Sequence, residues 1–364
     1  MKETSQPPVG GIDGSQQRPD PDRVAGAKGL SGHPGRWPEA FSAWKQVMAR
    51  IGGLVAAMII AAIAFQLMTG AFFTTGNILS IFEFMTTMAV VGFGETLVVV
   101  AGEIDLSLGA IYGLAAMTCG LLWTHGMPFL LSMVIGLLVG SIGGLVNGLI
   151  VTGLGVNSFI ITLGMLNLVE GITYYISNNT AISPGGSGNG FNIYLAIGAG
   201  EVAGIPSQIF WLIAVGIVMW VVLHRTVLGF WVAAVGGNVR AARAAHLPVK
   251  RIKTYTFIIA GALAALAGII DFSLVGSTAP TAGSTLIFPV FAAVVIGGAS
   301  LSGGRGSIIG TLLGALLLEI LTNGLGLLGA GAFAQLLFVG GVIIAAVAVD
   351  RWSAQYRARG EVQF

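Results

Sequence analysis

Residues 128–152 read PFLLSMVIGLLVGSIGGLVNGLIVT, and no charged side chain interrupts them. About 20 consecutive apolar residues span the hydrocarbon core of a bilayer as a helix, so this stretch is long enough to cross. Similar apolar stretches, with soft edges, recur along the 364-residue chain at 50–69, 78–101, 104–124, 157–177, 207–224, 254–275, 286–300, 307–328 and 332–350. Only 9% of the residues are charged and 55% are hydrophobic, whereas a soluble globular domain carries about 25% charged residues. The expected fold is all-α: a polytopic membrane bundle of about ten transmembrane helices. The 56 glycines suit it, because small residues let transmembrane helices approach closely. Two spans are irregular. The 78–124 stretch contains Glu83, Glu95, Glu103 and Asp105, which points to a helix that is broken or re-entrant. The 286–300 span is short and is bounded by Pro289 and by Gly303 and Gly304.

The cations organise this reading. Lys2, Arg18, Arg23, Lys28, Arg36, Lys45 and Arg50 precede the first span. Arg225, Arg240, Arg243, Lys250, Arg251 and Lys253 lie between the sixth and seventh. Arg305 lies between the eighth and ninth, and Arg351, Arg357 and Arg359 follow the tenth. Six spans, then two, then two separate these groups, so all 17 Lys and Arg fall on one side. Positive-inside asymmetry makes that side the cytoplasm, with both termini there and the chain multi-pass in the cell inner membrane. The expected domains are a disordered polar tail over 1–45, a transmembrane domain over 46–352 and a cytoplasmic tail over 353–364. No apolar core sits at the extreme N-terminus, so the tail does not read as a signal peptide. On the opposite side only residues 178–206 form a sizeable segment, polar and without Lys or Arg. The single cysteine, Cys119, excludes an internal disulfide and reads as a buried inert thiol. The glycine spacing of GSIGGLVNGLIVTGLG (140–155) is similar to that of GSIIGTLLGALLLEILTNGLG (306–326), which leaves an internal duplication open.

Three segments stand out. In GGNVRAARAAHLPVKRIK (236–253), Gly236 and Gly237 break the preceding element, and Asn238 is a good N-cap for about two turns of Ala-rich helix. Pro248 stops that helix. So short a helix is unstable alone and calls for a docking partner, against the plainer reading of a basic loop that only obeys topology. Gly236, Gly237, Asn238, Arg240, Ala241, Ala242 and Arg243 are its candidate residues. In GEIDLSLGAIYGLAAM (102–117), Asp105 and Ser107 interrupt an apolar stretch. An ionisable group at membrane depth costs roughly 2.5–3.5 kcal/mol on insertion scales. Asp105 therefore reads as a pathway or gate residue, as the cap of a helix starting near Leu106, or as both. In SLSGGRGS (300–307), glycines and one Arg make a tight turn, and Ser307 can begin the next helix. This turn lacks the Lys-Ser/Thr ending of a phosphate-binding loop.

Together these segments resemble the permease subunit of ribose-type ABC importers, which carry monosaccharides and related small solutes. GEIDLSLG (102–109) is similar to the family's G-x-I-D-L-S-x-G, and NSFIITLGML (157–166) to its P-x-F-I-x-T-L-G-M. GGNVRAARAAHLPVKRIK resembles its cytoplasmic loop. PTAG (280–283), AAVVIGGASLSGGRGSIIGTLLGALLL (292–318) and NGLGLLG (323–329) are close matches. The resemblance runs from about residue 50 to 352. It implies a pathway made by two permease copies, most simply a homodimer, within membrane lipid. It implies an ABC ATPase docked on the loop at 236–253 and a periplasmic or lipid-anchored solute-binding protein on the other face. ATP-Mg would then bind the partner ATPase; this chain has no Walker motif, and neither a cofactor nor a nucleic-acid partner is expected of it. Departures from the pattern are Glu170 where the family often has Arg, Leu274 near another such Arg, Ala279 in place of Gln, and His246-Leu247 in place of Gly-Ile. Glu170 and Asp271 join Asp105 and Ser107 as candidate pathway residues, with packing between helices as the plainer role for Glu170, Asp271 and Glu319.

Three rivals remain. An intramembrane enzyme would need a His or paired-carboxylate constellation at depth. The four histidines instead lie in the tail (His33), at span ends (His125, His224) or in the loop (His246). An ion-coupled secondary transporter would use buried carboxylates but has no need of a docking helix. An exporter or scaffold on the same fold is the third.

Overall fold

The computed structural model of the chain describes residues 36–185 and 188–360. The expected tail over 1–45 lies outside these residues as far as residue 35. The chain divides into two units, Met1–Ala49 and Arg50–Phe364, and the second holds the helical bundle. Among the described residues there are thirteen helices and one two-stranded hairpin. The helices are α1 (Arg36–Thr69), α2 (Thr75–Val100), α3 (Leu108–Thr124), α4 (Phe129–Leu154), α5 (Ser158–Ile176), α6 (Phe191–Gly198), α7 (Ser207–Arg225), α8 (Val227–Gly237), α9 (Val239–Ala244), α10 (Val249–Val275), α11 (Ile287–Ile296), α12 (Ile308–Leu327) and α13 (Ala332–Gly360). Between α6 and α7, β1 (Glu201–Val202) pairs antiparallel with β2 (Ile205–Pro206).

The chain is thus a polytopic helical bundle, with a small two-stranded hairpin added to the expected all-α fold. Helices α2, α4, α5, α7, α10, α12 and the Ile51–Thr69 part of α1 are long and apolar enough to cross a membrane. Helices α3, α8, α11 and the Ala332–Ala345 part of α13 are apolar but shorter. Two of the ten expected spans are shortened for visible reasons. The expected 104–124 span becomes helical only at Leu108, because residues 101–107 form an irregular linker. The expected 286–300 span has only 10 helical residues, about 15 Å of rise. Just before it, the backbone of Ala282 and Gly283 lies against Gly113 and Gly109 of α3, where a methyl group on either α3 glycine would overlap a carbonyl oxygen. Irregular backbone at membrane depth is tolerated where protein covers it. At the C-terminal end, α13 remains helical to Gly360 where a tail from residue 353 was expected.

Helix α2 is the centre of the bundle. Every residue from Met85 to Val100 is buried, as expected for a helix that is apolar all round. Helix α10 packs along α2, α3 and α4. The α4 seam explains the opening sequence: Gly140, Gly144 and Gly148 recur every four residues and touch Ala265, Phe257 and Thr254 of α10. The other face of α4 exposes Leu130, Val134, Leu138, Ile142 and Leu149, a lipid-facing stripe at helical spacing. The described residues of the 178–206 segment include helix α6 and the β1–β2 hairpin. Tyr194 of α6 packs among Trp123, Phe129 and Phe272 and donates its hydroxyl to the Phe272 carbonyl at 2.8 Å. Trp123 donates to the Asn189 carbonyl at 3.0 Å. These contacts fasten the segment to the ends of α3 and α10.

Candidate functional site

The linker 101–107 is held by other elements rather than by its own backbone. Three successive amides donate to side chains: Ile104 to Ser158 Oγ at 3.1 Å, Asp105 to Glu95 Oε1 at 3.3 Å, and Leu106 to Thr162 Oγ1 at 3.1 Å. Ser158 and Thr162 are one turn apart at the start of α5, so a single helix face supplies both acceptors. Buried backbone donors need such partners wherever a helix is interrupted.

Beneath the linker is a buried polar cluster. Asp105 Oδ1 accepts from the backbone amide of Ser107 at 2.9 Å and from its hydroxyl at 2.6 Å. Asn147 Nδ2, from α4, donates to Asp105 Oδ2 at 3.0 Å and to Ser107 Oγ at 2.7 Å. Asp105, Ser107, Asn147 and Glu95 are all fully buried. Asp105 is not the cap expected of it: the helix begins at Leu108, Ser107 occupies the N-cap position, and Asp105 fixes the turn before it.

The linker's outer end meets the other two segments at a glycine junction. The Gly304 amide donates to the Val100 carbonyl at 2.8 Å. A methyl group on Gly236 would overlap that same carbonyl oxygen and lie 2.8 Å from the Gly304 nitrogen. One on Gly303 would lie 2.6 Å from the Gly236 carbonyl oxygen and 2.9 Å from Gly102 Cα. Gly102, Gly303 and Gly304 also have positive φ, of 80°, 80° and 77°, a region that side chains other than Gly adopt with strain. The start of GEIDLSLG, the end of α8 and the SLSGGRGS turn are therefore joined backbone to backbone. Glu103 adds an ion pair to Lys253, near the start of α10, with both side chains largely buried. Glu103→Lys is expected to destabilise the chain in thermal unfolding, and adding Lys253→Glu should recover the loss. A double variant no better than Glu103→Lys alone would show that the pair is incidental.

From this junction the chain enters α9. Asn238 Oδ1 accepts from the Ala241 amide at 3.0 Å, the cap expected of it. Helix α9 ends at Ala244, His246 turns the chain with φ 59°, and Pro248 occupies the N-cap position of α10. The helix does have an apolar side: Ala242 is buried, and Val239 and Leu247 pack on the core. Arg240, Ala241 and Arg243 are exposed, so the short helix presents its basic side outward. Helix α8, the element that the sequence reading left without a span before Gly236, packs on α7, α10 and α2 and delivers Gly236 to the junction.

Glu170 and Asp271 are not part of this cluster. Glu170 lies twelve residues along α5 from Ser158, about 18 Å at 1.5 Å per residue, half-buried beside the exposed Asn167 and Gly171. Asp271 is near the far end of α10 and lies beside the Tyr112 hydroxyl of α3, between packed helices. Glu319 is buried within α12. The sequence reading missed Asn147 as a partner of Asp105, and Ser158 and Thr162 as acceptors for the Ile104 and Leu106 amides. Their signals were a lone Asn inside an apolar glycine-rich stretch and two hydroxyls at i, i+4.

Comparison with known proteins bears on the whole arrangement. The family described as branched-chain amino acid transport system / permease component matches residues 77–347. The ribose import permease protein of Bacillus subtilis (strain 168) is 36% identical over 305 residues, covering 84% of this chain and 94% of the relative. The D-allose transport system permease protein of Escherichia coli (strain K12) is 37% identical over 295 residues, covering 80% and 89%. The fructose import permease protein of Rhizobium meliloti is 35% identical over 300 residues, covering 81% and 83%. No solved structure matches the chain. With the motif-bearing segments gathered at one junction and a family match across most of its length, the chain belongs to the permease subunits of ribose-type ABC importers.

Proposed function

We propose that the chain forms the pathway by which a monosaccharide or similar small polar solute crosses the cell inner membrane, driven by a separate ABC ATPase docked on α9. The observation that carries this is the glycine junction, which connects α9 without slack to the linker 101–107 and so to the Asp105 cluster. A push on α9 reaches the membrane interior through backbone contacts, which have no rotamers to absorb it. The names of the relatives support the solute class, and their shared family supports the ATPase and a solute-binding protein as partners. In this reading ten helices cross, the junction and both termini face the cytoplasm, and residues 178–206 face the binding protein. Two copies pair as a homodimer. Asp105 and Ser107, being fully buried, serve as the fixed frame of a gate rather than as solute contacts. Glu170, beside the open face of α5, is the proposed pathway carboxylate, and Asp271 with Tyr112 holds α10 to α3 behind it.

The test is reconstituted uptake with the ATPase and binding protein. Uptake should stop on ATP depletion while the proton gradient is clamped; uptake that continues would favour an ion-coupled carrier. The double variant Asn238→Ala with Arg243→Glu should insert normally but retain the ATPase poorly on pulldown. Loss of the cap alone accounts for about 1 kcal/mol, and charge reversal adds repulsion from any acidic docking surface. Full ATPase retention by this variant would remove α9 as the docking element.

A further inference from the structure

A groove of about 480 Å³ runs between α7 and α12, with α2 as its floor. Its volume lies within the range of small-molecule sites, yet its lining is apolar throughout. Met85 and Phe93 come from α2, Ile213 and Ile217 from α7, and Ile309 and Leu316 from α12. Ile213, Ile217 and Ile309 are exposed, so the groove opens sideways, toward the hydrocarbon in a membrane-spanning bundle. Along α7 it extends from Ile209 to Trp220, about 16 Å at 1.5 Å per residue. An apolar chain seated in such a groove makes dispersion contacts with three helices at once. A long, thin apolar chain fits it better than a broad protein face.

One end of the groove differs from the rest. There α7 finishes and α12 begins, with Trp220 and Ile308 both in the lining. The Arg225 guanidinium lies over the Trp220 ring, 5.1 Å from its centroid, and the His224 ring stacks on Trp220 at 5.9 Å. Both side chains are exposed. The one ion pair among the described residues is Glu103–Lys253, so Arg225 has no carboxylate partner there. Arg305 lies three residues before Ile308, next to the first turn of α12, where helix amides favour an anion. Tryptophan with a cation above it belongs at the level of lipid headgroups.

We propose that this groove binds one acyl chain of an anionic phospholipid, with the phosphate headgroup held by Arg225 at the Trp220 end. The site is separate from the glycine junction and from the proposed solute pathway. It gives the bundle a resident lipid that fastens α7, the helix leading into α8 and the junction, to α12.

The test is native mass spectrometry of the full chain, equilibrated with phosphatidylglycerol or with phosphatidylcholine of the same acyl chains. One phosphatidylglycerol should stay bound per chain, retained about fivefold better than phosphatidylcholine, as one basic residue near an anionic headgroup is worth about 1 kcal/mol. A Cβ on Gly216 would meet the Phe93 ring at 3.6 Å, ordinary contact, so Gly216→Leu fills the groove and should displace both lipids. Arg225→Ala should reduce phosphatidylglycerol retention to the phosphatidylcholine level. It changes an exposed side chain, so it decides the headgroup part even if Gly216→Leu does not fold. Equal retention of the two lipids by the unaltered chain would overturn the proposal, as would unchanged occupancy in a folded Gly216→Leu chain. Loss of a second copy of the chain from the Gly216→Leu spectra, with lipid retained, would make the groove a protein interface and overturn it too.

Discussion

Gly236→Ala is expected to reduce ATP-driven uptake at least tenfold, while Gly237→Ala, one residue away, leaves it close to normal. The two glycines look alike in sequence but have different surroundings. A methyl group on Gly236 would overlap the Val100 carbonyl oxygen and lie 2.8 Å from the Gly304 nitrogen, between a donor and acceptor now joined by a hydrogen bond. None of the atoms it meets belongs to a flexible side chain, so relief requires α8 to move away from α2 and the 300–306 turn. Overpacking of this kind costs typically 1–3 kcal/mol, enough to open the junction without unfolding the bundle. A methyl group on Gly237 would meet only Gly304 Cα, at 3.8 Å, an ordinary contact. The chain should still insert and unfold near its usual temperature in both variants. ATPase hydrolysis rates separate the mechanisms: a parted junction leaves hydrolysis running without uptake, whereas lost docking lowers both. Normal uptake by Gly236→Ala would mean that the junction is not how motion passes from α9 to the linker.

Much of this arrangement was legible in the sequence because its signals are local. Apolar length located the long spans, and the acids at 95–105 marked the stretch where a helix gives way to a linker. Asn238 and Ser307 cap their helices as their residue types require, with Ser307 accepting from the Gly310 amide at 3.2 Å. What stayed hidden depends on contacts between distant positions. Nothing local distinguishes Gly236 from Gly237, since the difference lies in Val100 and Gly304 on other elements. Asn147 occupies an α4 face otherwise carried by glycines, and its importance comes from the carboxylate brought to it by a linker 42 residues away. Residues 178–206 read as a bare polar segment because the aromatic partners that anchor α6 belong to α3, α4 and α10. The 286–300 span reads as short in the sequence and is shorter still in the structure, but nothing local shows that the backbone just before it is covered by α3.

Asp105→Ala is the second change with a large expected effect, and it acts by a different route. Asp105 accepts from the Ser107 amide, the Ser107 hydroxyl and Asn147. Removing it strands buried donors at about 1–3 kcal/mol each, for a loss of about 3 kcal/mol or more and a clearly lower unfolding temperature. Ser107 Oγ remains as a partner for Asn147, which keeps the loss below the full sum. Asp105→Asn is the informative intermediate. Its amide can keep the Oδ1 contacts with Ser107, but it turns an NH2 group toward the NH2 group of Asn147. Rotating Asn147 by half a turn brings its oxygen, now without a hydrogen-bond partner among the described residues, to face that group, at the expense of the bond to Ser107. Stability between those of Asp105→Ala and the unaltered chain is therefore expected. Glu95→Gln is a milder change: Oε1 can still accept from the Asp105 amide, and the new NH2 group takes the place of Oε2, which has no hydrogen-bond partner among the described residues, so a single donor group is stranded. That variant should lose clearly less stability than Asp105→Ala, so the four residues divide into a structural frame that needs Asp105 and a neighbour whose charge it does not need. If Glu95→Gln proves as damaging as Asp105→Ala, the frame extends to Glu95 and its second oxygen has a partner in the working transporter.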